Sequence, residues 1–219
     1  TNAAVEKVLI KNNKAIGVML EDGSEVFADK VISNLNPKLL FKKLVDKDDV
    51  NQEYRRKILN YKCGSGTFRM NVALSELPDF NCLPGKEICE HHKSGIVIAP
   101  SLTYMDQAFT DAKQYGWSKN PIVEMLIPST VDSTLAPEGK HVASLFCQQF
   151  APTLPDNRSW HDEKDNAANT IIETVNRFAP NFKNSILGMS ILSPLDLEEK
   201  LGLIGGDIMH GVMSLDQMW

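Results

Sequence analysis

The chain has 219 residues, 42% hydrophobic and 23% charged, with a net charge of −5. That length allows one large or two small domains with a substantial core, in the proportions of an ordinary soluble globular protein. The acidic balance argues against nucleic acid as a partner, and no apolar run approaches the roughly 20 residues that span a bilayer.

Val5 to Lys11 alternates apolar and polar residues and reads as a strand. Asn12-Asn13-Lys14 makes a turn, because Asn tolerates positive φ. Ala15 to Leu20 is the return strand, Asp22-Gly23 a hairpin turn, and Ser24 to Ala28 the third strand of a meander. Val31-Ile32 reads as a short buried strand. Asn36 then fits a helix N-cap and Pro37 a first helical position, with Leu39, Leu40 and Leu44 as the buried face. Asn51 to Asn60 is a second helix, broken at Gly64-Ser65-Gly66.

Thr67 to Leu74 has strict period two. Phe68, Met70, Val72 and Leu74 share one face; Thr67, Arg69, Asn71 and Ala73 share the other, where Arg69 and Asn71 could meet a ligand. Asn81 to Lys93 reads as a solvated loop. Its adjacent His91 and His92 should point in different directions and make a poor metal pair. Ile96 to Ala99 is a short strand. Leu102 to Tyr115 has helical spacing and stops at Gly116.

Pro121 to Pro152 reads as two strands, Ile122 to Ile127 and His141 to Phe150, joined by a long loop. Pro137-Glu138-Gly139 supplies the turn chemistry. Ser159 with Asp162 approximates a capping box. The helix it starts runs to about Phe178, with Ala167, Ile171, Val175 and Phe178 in its buried stripe and Ile172 beside it. Ser185 to Leu192 is a further strand, and Pro194 opens a short amphipathic segment to Leu201.

Cys63, Cys82, Cys89 and Cys147 form no C-x-x-C pair and suit neither a zinc site nor a disulfide scaffold. They read as reduced thiols in a cytoplasmic protein, Cys147 in the core, and no metal is expected. The chain lacks a signal-peptide pattern. It begins inside a strand pattern and stops just after a glycine-rich stretch, so it is expected to be a piece of a longer protein.

Three stretches resemble a known family. Pro128-Ser129, Asp132, Leu135-Ala136-Pro137 and Gly139-Lys140-His141 are similar to a signature of phytoene dehydrogenase-like flavoproteins. Gly17-Val18, Leu20, Gly23 and Ala28-Asp29 through Val31-Ile32-Ser33 resemble the stretch downstream of their first Gly-rich loop. Gly205-Gly206-Asp207-Ile208-Met209-His210-Gly211 resembles the segment before their C-terminal flavin contact.

The resemblance implies an α+β fold, a flavoprotein fragment with a mixed, largely antiparallel sheet backed by helices and a small three-stranded meander. Residues 1–36 would belong to the FAD-binding domain, 37–201 to the substrate-binding domain, and 202–219 would return toward the cofactor. It implies FAD contacts near Val5, Ser33 and Asn34, with Arg69, Asn71 and His210 on the substrate side. The whole protein would be an FAD-dependent oxidoreductase acting on an apolar polyene or lipid by hydride transfer. No G-x-G-x-x-G occurs in the chain. Because that loop holds the pyrophosphate, it is expected upstream of Thr1, and the chain alone should not bind FAD tightly or turn over. No residue set by its spacing forms a catalytic constellation. A non-catalytic lipid- or partner-binding module and an amine-oxidase-like flavoenzyme stay open as alternatives. Membrane association is unsupported by any basic amphipathic helix.

Overall fold

The computed structural model describes residues 1–64, 66–85 and 87–218. Ser65, with the helix break read across it, lies outside the described residues, as do Lys86 and Trp219. The fold is α+β, with a three-stranded and a five-stranded sheet whose pairings are all antiparallel. The chain forms two compact units, Thr1–Cys63 with the segment from Met209 onward, and Gly64–Ile208.

In the first unit, strands β1 (Val5–Lys11), β2 (Lys14–Leu20) and β3 (Glu25–Phe27) form the expected meander in the order β1-β2-β3. Asn12 and Asn13 both have positive φ, as the turn chemistry requires. Val31-Ile32 is not a strand: the backbone there is irregular and Ile32 is 92% exposed. A strand needs a neighbour for its N–H and C=O groups, and no described strand pairs with this one. Asn36 caps helix α1 (Pro37–Leu39) by accepting from the Lys38 N–H at 2.9 Å. The helix then widens into a π-turn over Leu40–Leu44, which leaves Leu39, Leu40 and Leu44 half-buried rather than buried. Helix α2 (Gln52–Leu59) follows, capped by Asn51. Its Tyr54 packs edge-on against Phe41, ring centroids 5.3 Å apart.

In the second unit, β4 (Thr67–Leu74), β5 (Ile96–Ile98), β6 (Trp117–Leu126), β7 (His141–Phe150) and β8 (Ile186–Leu192) form a sheet in the order β5-β6-β7-β4-β8. Strand β6 begins at Trp117, five residues before the expected Ile122, and carries Pro121 inside it. The register shifts between Trp117 and Ile122, and β5 pairs only with Val123–Met125, so Pro121 sits where no ladder hydrogen bond is demanded of it. The β6–β7 connection contains the expected turn, closed by the Lys140 N–H donating to Pro137 O at 2.9 Å.

Alternation decides which face of this sheet is sealed. Phe68, Met70, Val72 and Leu74 of β4, Val123 and Met125 of β6, and Ala143, Leu145 and Cys147 of β7 are all at most 1% exposed. Helix α3 (Leu102–Tyr115) feeds β6, and helix α4 (Trp160–Phe178) supplies the core stripe of Ala167, Ala168, Ile171 and Val175 at 0% exposure. Ser159 caps α4 by accepting from the His161 N–H; the capping box expected with Asp162 is not recorded there. After α4, the short helix α5 (Phe182–Ser185) leads into β8.

A true capping box opens helix α6 (Pro194–Leu201). The Asp196 carboxylate accepts from Ser193 N–H and Oγ–H, and pairs with Lys200 at 2.7 Å and Lys164 at 3.6 Å. Burial alone would raise the Asp196 pKa, but Lys200, Ser193 and Lys164 hold it down to about 2. A carboxyl whose folded pKa lies below its unfolded value near ~3.9 stabilises the fold above about pH 4 and loses that contribution as pH falls through about 2. Denaturant titrations between those limits should show ~2.5 kcal/mol lost from this site. Asp196→Asn should flatten that part of the pH profile, and an unchanged profile would assign the loss elsewhere.

Candidate functional site

The second face of the five-stranded sheet carries the sequence-predicted pair. The register aligns Val97, Glu124, Phe146, Arg69 and Leu192 as one row across β5, β6, β7, β4 and β8. Beside Phe146 and Arg69 lie Ser144, Asn71 and Ser190, which pair with one another across β7, β4 and β8. This face is open: Val97 is 61% and Leu126 55% exposed, Asn71 and Ser190 are exposed, and Arg69, Phe146 and Ser144 are half-buried.

Arg69 is held rather than free. Its guanidinium donates from Nη2 to Ser144 Oγ at 3.1 Å and lies over the Phe146 ring, 5.4 Å from the centroid. Among the described residues it has no carboxylate partner. Glu124, on the far side of Phe146, accepts a hydrogen bond from the Gln148 side-chain amide. The result is an apolar floor with one fixed cation and one amide-bound carboxylate. Cys147 on the sealed face is no nucleophile for it. Burial pushes its thiol well above the ordinary range, Arg69 pulling weakly the other way and Glu124 adding to the rise.

The remaining candidates lie in the first unit. Val5 opens β1 opposite Leu20 and is 36% exposed. Ser33 and Asn34 are exposed, and Ser33 Oγ accepts from the Leu35 N–H at 3.3 Å. His210 has a left-handed backbone, φ 61°, and a buried Nδ1 with no recorded partner. Its carbonyl accepts from Asn36 Nδ2 at 3.3 Å, and the same amide donates to Cys63 Sγ at 3.4 Å. Asn36, 2% exposed, is therefore the bracket that holds the Cys63 and His210 segments together. Sequence reasoning read it only as a helix cap.

The structure thus gathers Arg69 and Asn71 with Ser144, but does not bring Val5, Ser33 and Asn34 into one cluster by any recorded hydrogen bond. It adds Ser144, Phe146, Glu124 and Gln148. The signal for Ser144, Phe146 and Gln148 was the strand pattern of β7, and for Glu124 that of β6, each legible as a strand but not as a neighbour of the others.

A dinucleotide cofactor does not fit the described residues unaided. The helices of eight or more residues begin at Asn51, Ser101, Ser159 and Ser193, and each of these side chains already accepts from a first-turn amide. That leaves no glycine-lined cradle for a pyrophosphate. Among the described residues no helix is long and apolar enough to cross a membrane.

No family model matches the chain. Individual proteins do. The chain is 37% identical over 225 aligned residues to "pyridine nucleotide-disulfide oxidoreductase domain-containing protein 2" of Rattus norvegicus, covering 100% of this chain and 39% of that protein. It is 28% identical over 200 residues to "prolycopene isomerase 2, chloroplastic" of an Oncidium hybrid cultivar, covering 88% of this chain and 30% of that protein. The chain thus spans well under half the length of these relatives. An oxidoreductase from Methanosarcina mazei has the same fold, with a TM-score of 0.57 at 18% identity over 88% of this chain and 37% of that one.

Proposed function

We propose, starting from a chain that belongs to the phytoene dehydrogenase-like oxidoreductase family, that these residues form the substrate-side part of an FAD-dependent enzyme. Its substrate is an apolar polyene or lipid-like molecule, and the reaction class is hydride transfer between that molecule and flavin. The observation that carries this reading is the open sheet face. Its helix-backed side is fully packed, while the other side presents Val97, Phe146 and Leu192 in one row, with Glu124 and Arg69 between them. An apolar molecule laid on that row removes both surfaces from water.

In this reading residues 37–201 supply the substrate platform, and residues 1–36 and 202–219 belong with the cofactor domain. The pyrophosphate is held by residues outside these 219, since the described ones offer no cradle for it. Arg69 and Asn71 set where a polar group of the substrate rests, and Phe146 keeps the guanidinium flat. No metal takes part in this reaction. The enzyme is placed in the cytoplasm and requires no nucleic-acid partner.

The test uses the full-length protein that contains this chain. It should purify yellow with a flavin absorbance spectrum, and anaerobic addition of a polyene should bleach it. Arg69→Ala should raise KM about tenfold, the loss of one charge-assisted contact worth roughly 1.5 kcal/mol, with the flavin spectrum unchanged. A colourless protein that takes up no FAD would overturn the redox reading and favour a lipid- or partner-binding module. Peroxide release with amines would instead point to an amine-oxidase-like enzyme.

A further inference from the structure

The segment read as a solvated loop is mostly exposed but ends in a regular turn with one buried side chain. Glu90–Lys93 forms a 3-10 turn, and His92 is 1% exposed. The adjacent imidazoles do not diverge: their centroids lie 3.9 Å apart. In a 3-10 turn residues three apart share a side, which sets His92 beside Cys89; the His91 and His92 rings meet through their side-chain torsions, not through the backbone repeat. We infer that Cys89, His91 and His92 form a binding site for a single divalent cation of the zinc class.

Three independent observations support the site. Cys89 Sγ and one ring nitrogen from each histidine lie within 4.8 Å of one another. Tetrahedral zinc holds such ligands roughly 3.5 Å apart, and Cys89, which is exposed, and His91, which is half-buried, have room to close that gap. His91 Nε2 is buried with no hydrogen-bond partner among the described residues.

The third observation is the orientation of His92. Its Nε2 lies 3.0 Å from Pro78 O and its Nδ1 accepts from the Cys89 N–H at 3.1 Å. Only the tautomer with the proton on Nε2 satisfies both. A ring N–H given to a carbonyl while the other nitrogen keeps its lone pair is the outer-shell arrangement of metal-binding histidines. Coordination would exchange the Cys89 N–H bond for one to the cation. One sulfur and two imidazoles select zinc-like ions over calcium or magnesium. The site shares no residue with the Arg69 face and rests on nothing in the flavoenzyme reading.

The test is to strip the untagged full-length protein that contains this chain with chelator and titrate it with Co²⁺, then Zn²⁺. One equivalent of Co²⁺ should produce tetrahedral d–d bands and a thiolate charge-transfer band, both erased by Zn²⁺. Cys89→Ser should remove the charge-transfer band and weaken binding at least about tenfold. His91→Gln should weaken binding comparably and keep the band. Cys82→Ser, at the other exposed cysteine, should change neither. His92 is left intact because it is part of the core. No Co²⁺ binding, binding without a thiolate band, or binding indifferent to Cys89→Ser and His91→Gln would each overturn the site.

Discussion

Gly66→Ala should lower the unfolding free energy by about 4 kcal/mol or more, among the largest effects a point substitution produces. A Cβ built at Gly66 stands 1.4 Å from the Phe150 carbonyl oxygen, a distance no non-bonded pair tolerates. The obstacle is backbone, so no side-chain rotation relieves it. The Gly66 carbonyl also accepts from the Phe150 N–H at 3.3 Å, so pushing the chains apart breaks that contact too. The end of the β4–β7 ladder, which runs from Thr67 opposite Gln148 to Leu74 opposite His141, must splay. Chemical denaturation of the variant measures the loss. Wild-type stability in Gly66→Ala would mean that the two strands do not approach as closely as described.

Phe68→Ala is expected to cost about 3–5 kcal/mol, the usual range for truncating a buried aromatic ring. Phe68 is 0% exposed, and its ring lies 5.2 Å from Phe150 and 5.8 Å from Trp160. Trp160 in turn lies 5.5 Å from Trp117 and donates its indole N–H to Ala151 O at 2.9 Å. The cluster therefore ties β4, β6 and β7 to the start of α4. Removing its central ring leaves a cavity that a backbone held by two neighbouring ladders cannot close. The near-UV circular dichroism of the two tryptophans should weaken in step with the stability loss. Phe68→Leu, closer in volume, should cost about 1.5 kcal/mol or less. Equal costs for the two variants would place Phe68 outside the tight core.

The candidate site was half legible. Arg69 and Asn71 could be assigned to one face because a strand's period is a local property. Nothing local indicates that Phe146, 77 positions along the chain, lies under the guanidinium of Arg69. That depends on β7 sitting between β6 and β4, a choice made by the whole sheet. The His91-His92 expectation failed for a related reason. Backbone periodicity sets the direction in which a side chain leaves the chain, but the His92 ring is turned by its hydrogen bonds to Pro78 and Cys89, which bring it against His91.

What the residues specify alone is the set of elements nearest to them. The meander, the Asn36 and Asn51 caps, the sealed face of β4 and the stripe of α4 all follow from turn chemistry, capping and periodicity within about ten positions. Partnership between distant segments needed the tertiary structure. It left Val31-Ile32 unpaired, carried Pro121 inside a strand, and turned His92 inward. Each of these was decided by a backbone hydrogen-bond partner far away in the chain, or by its absence among the described residues, and pattern along the sequence carries no record of which partner that will be.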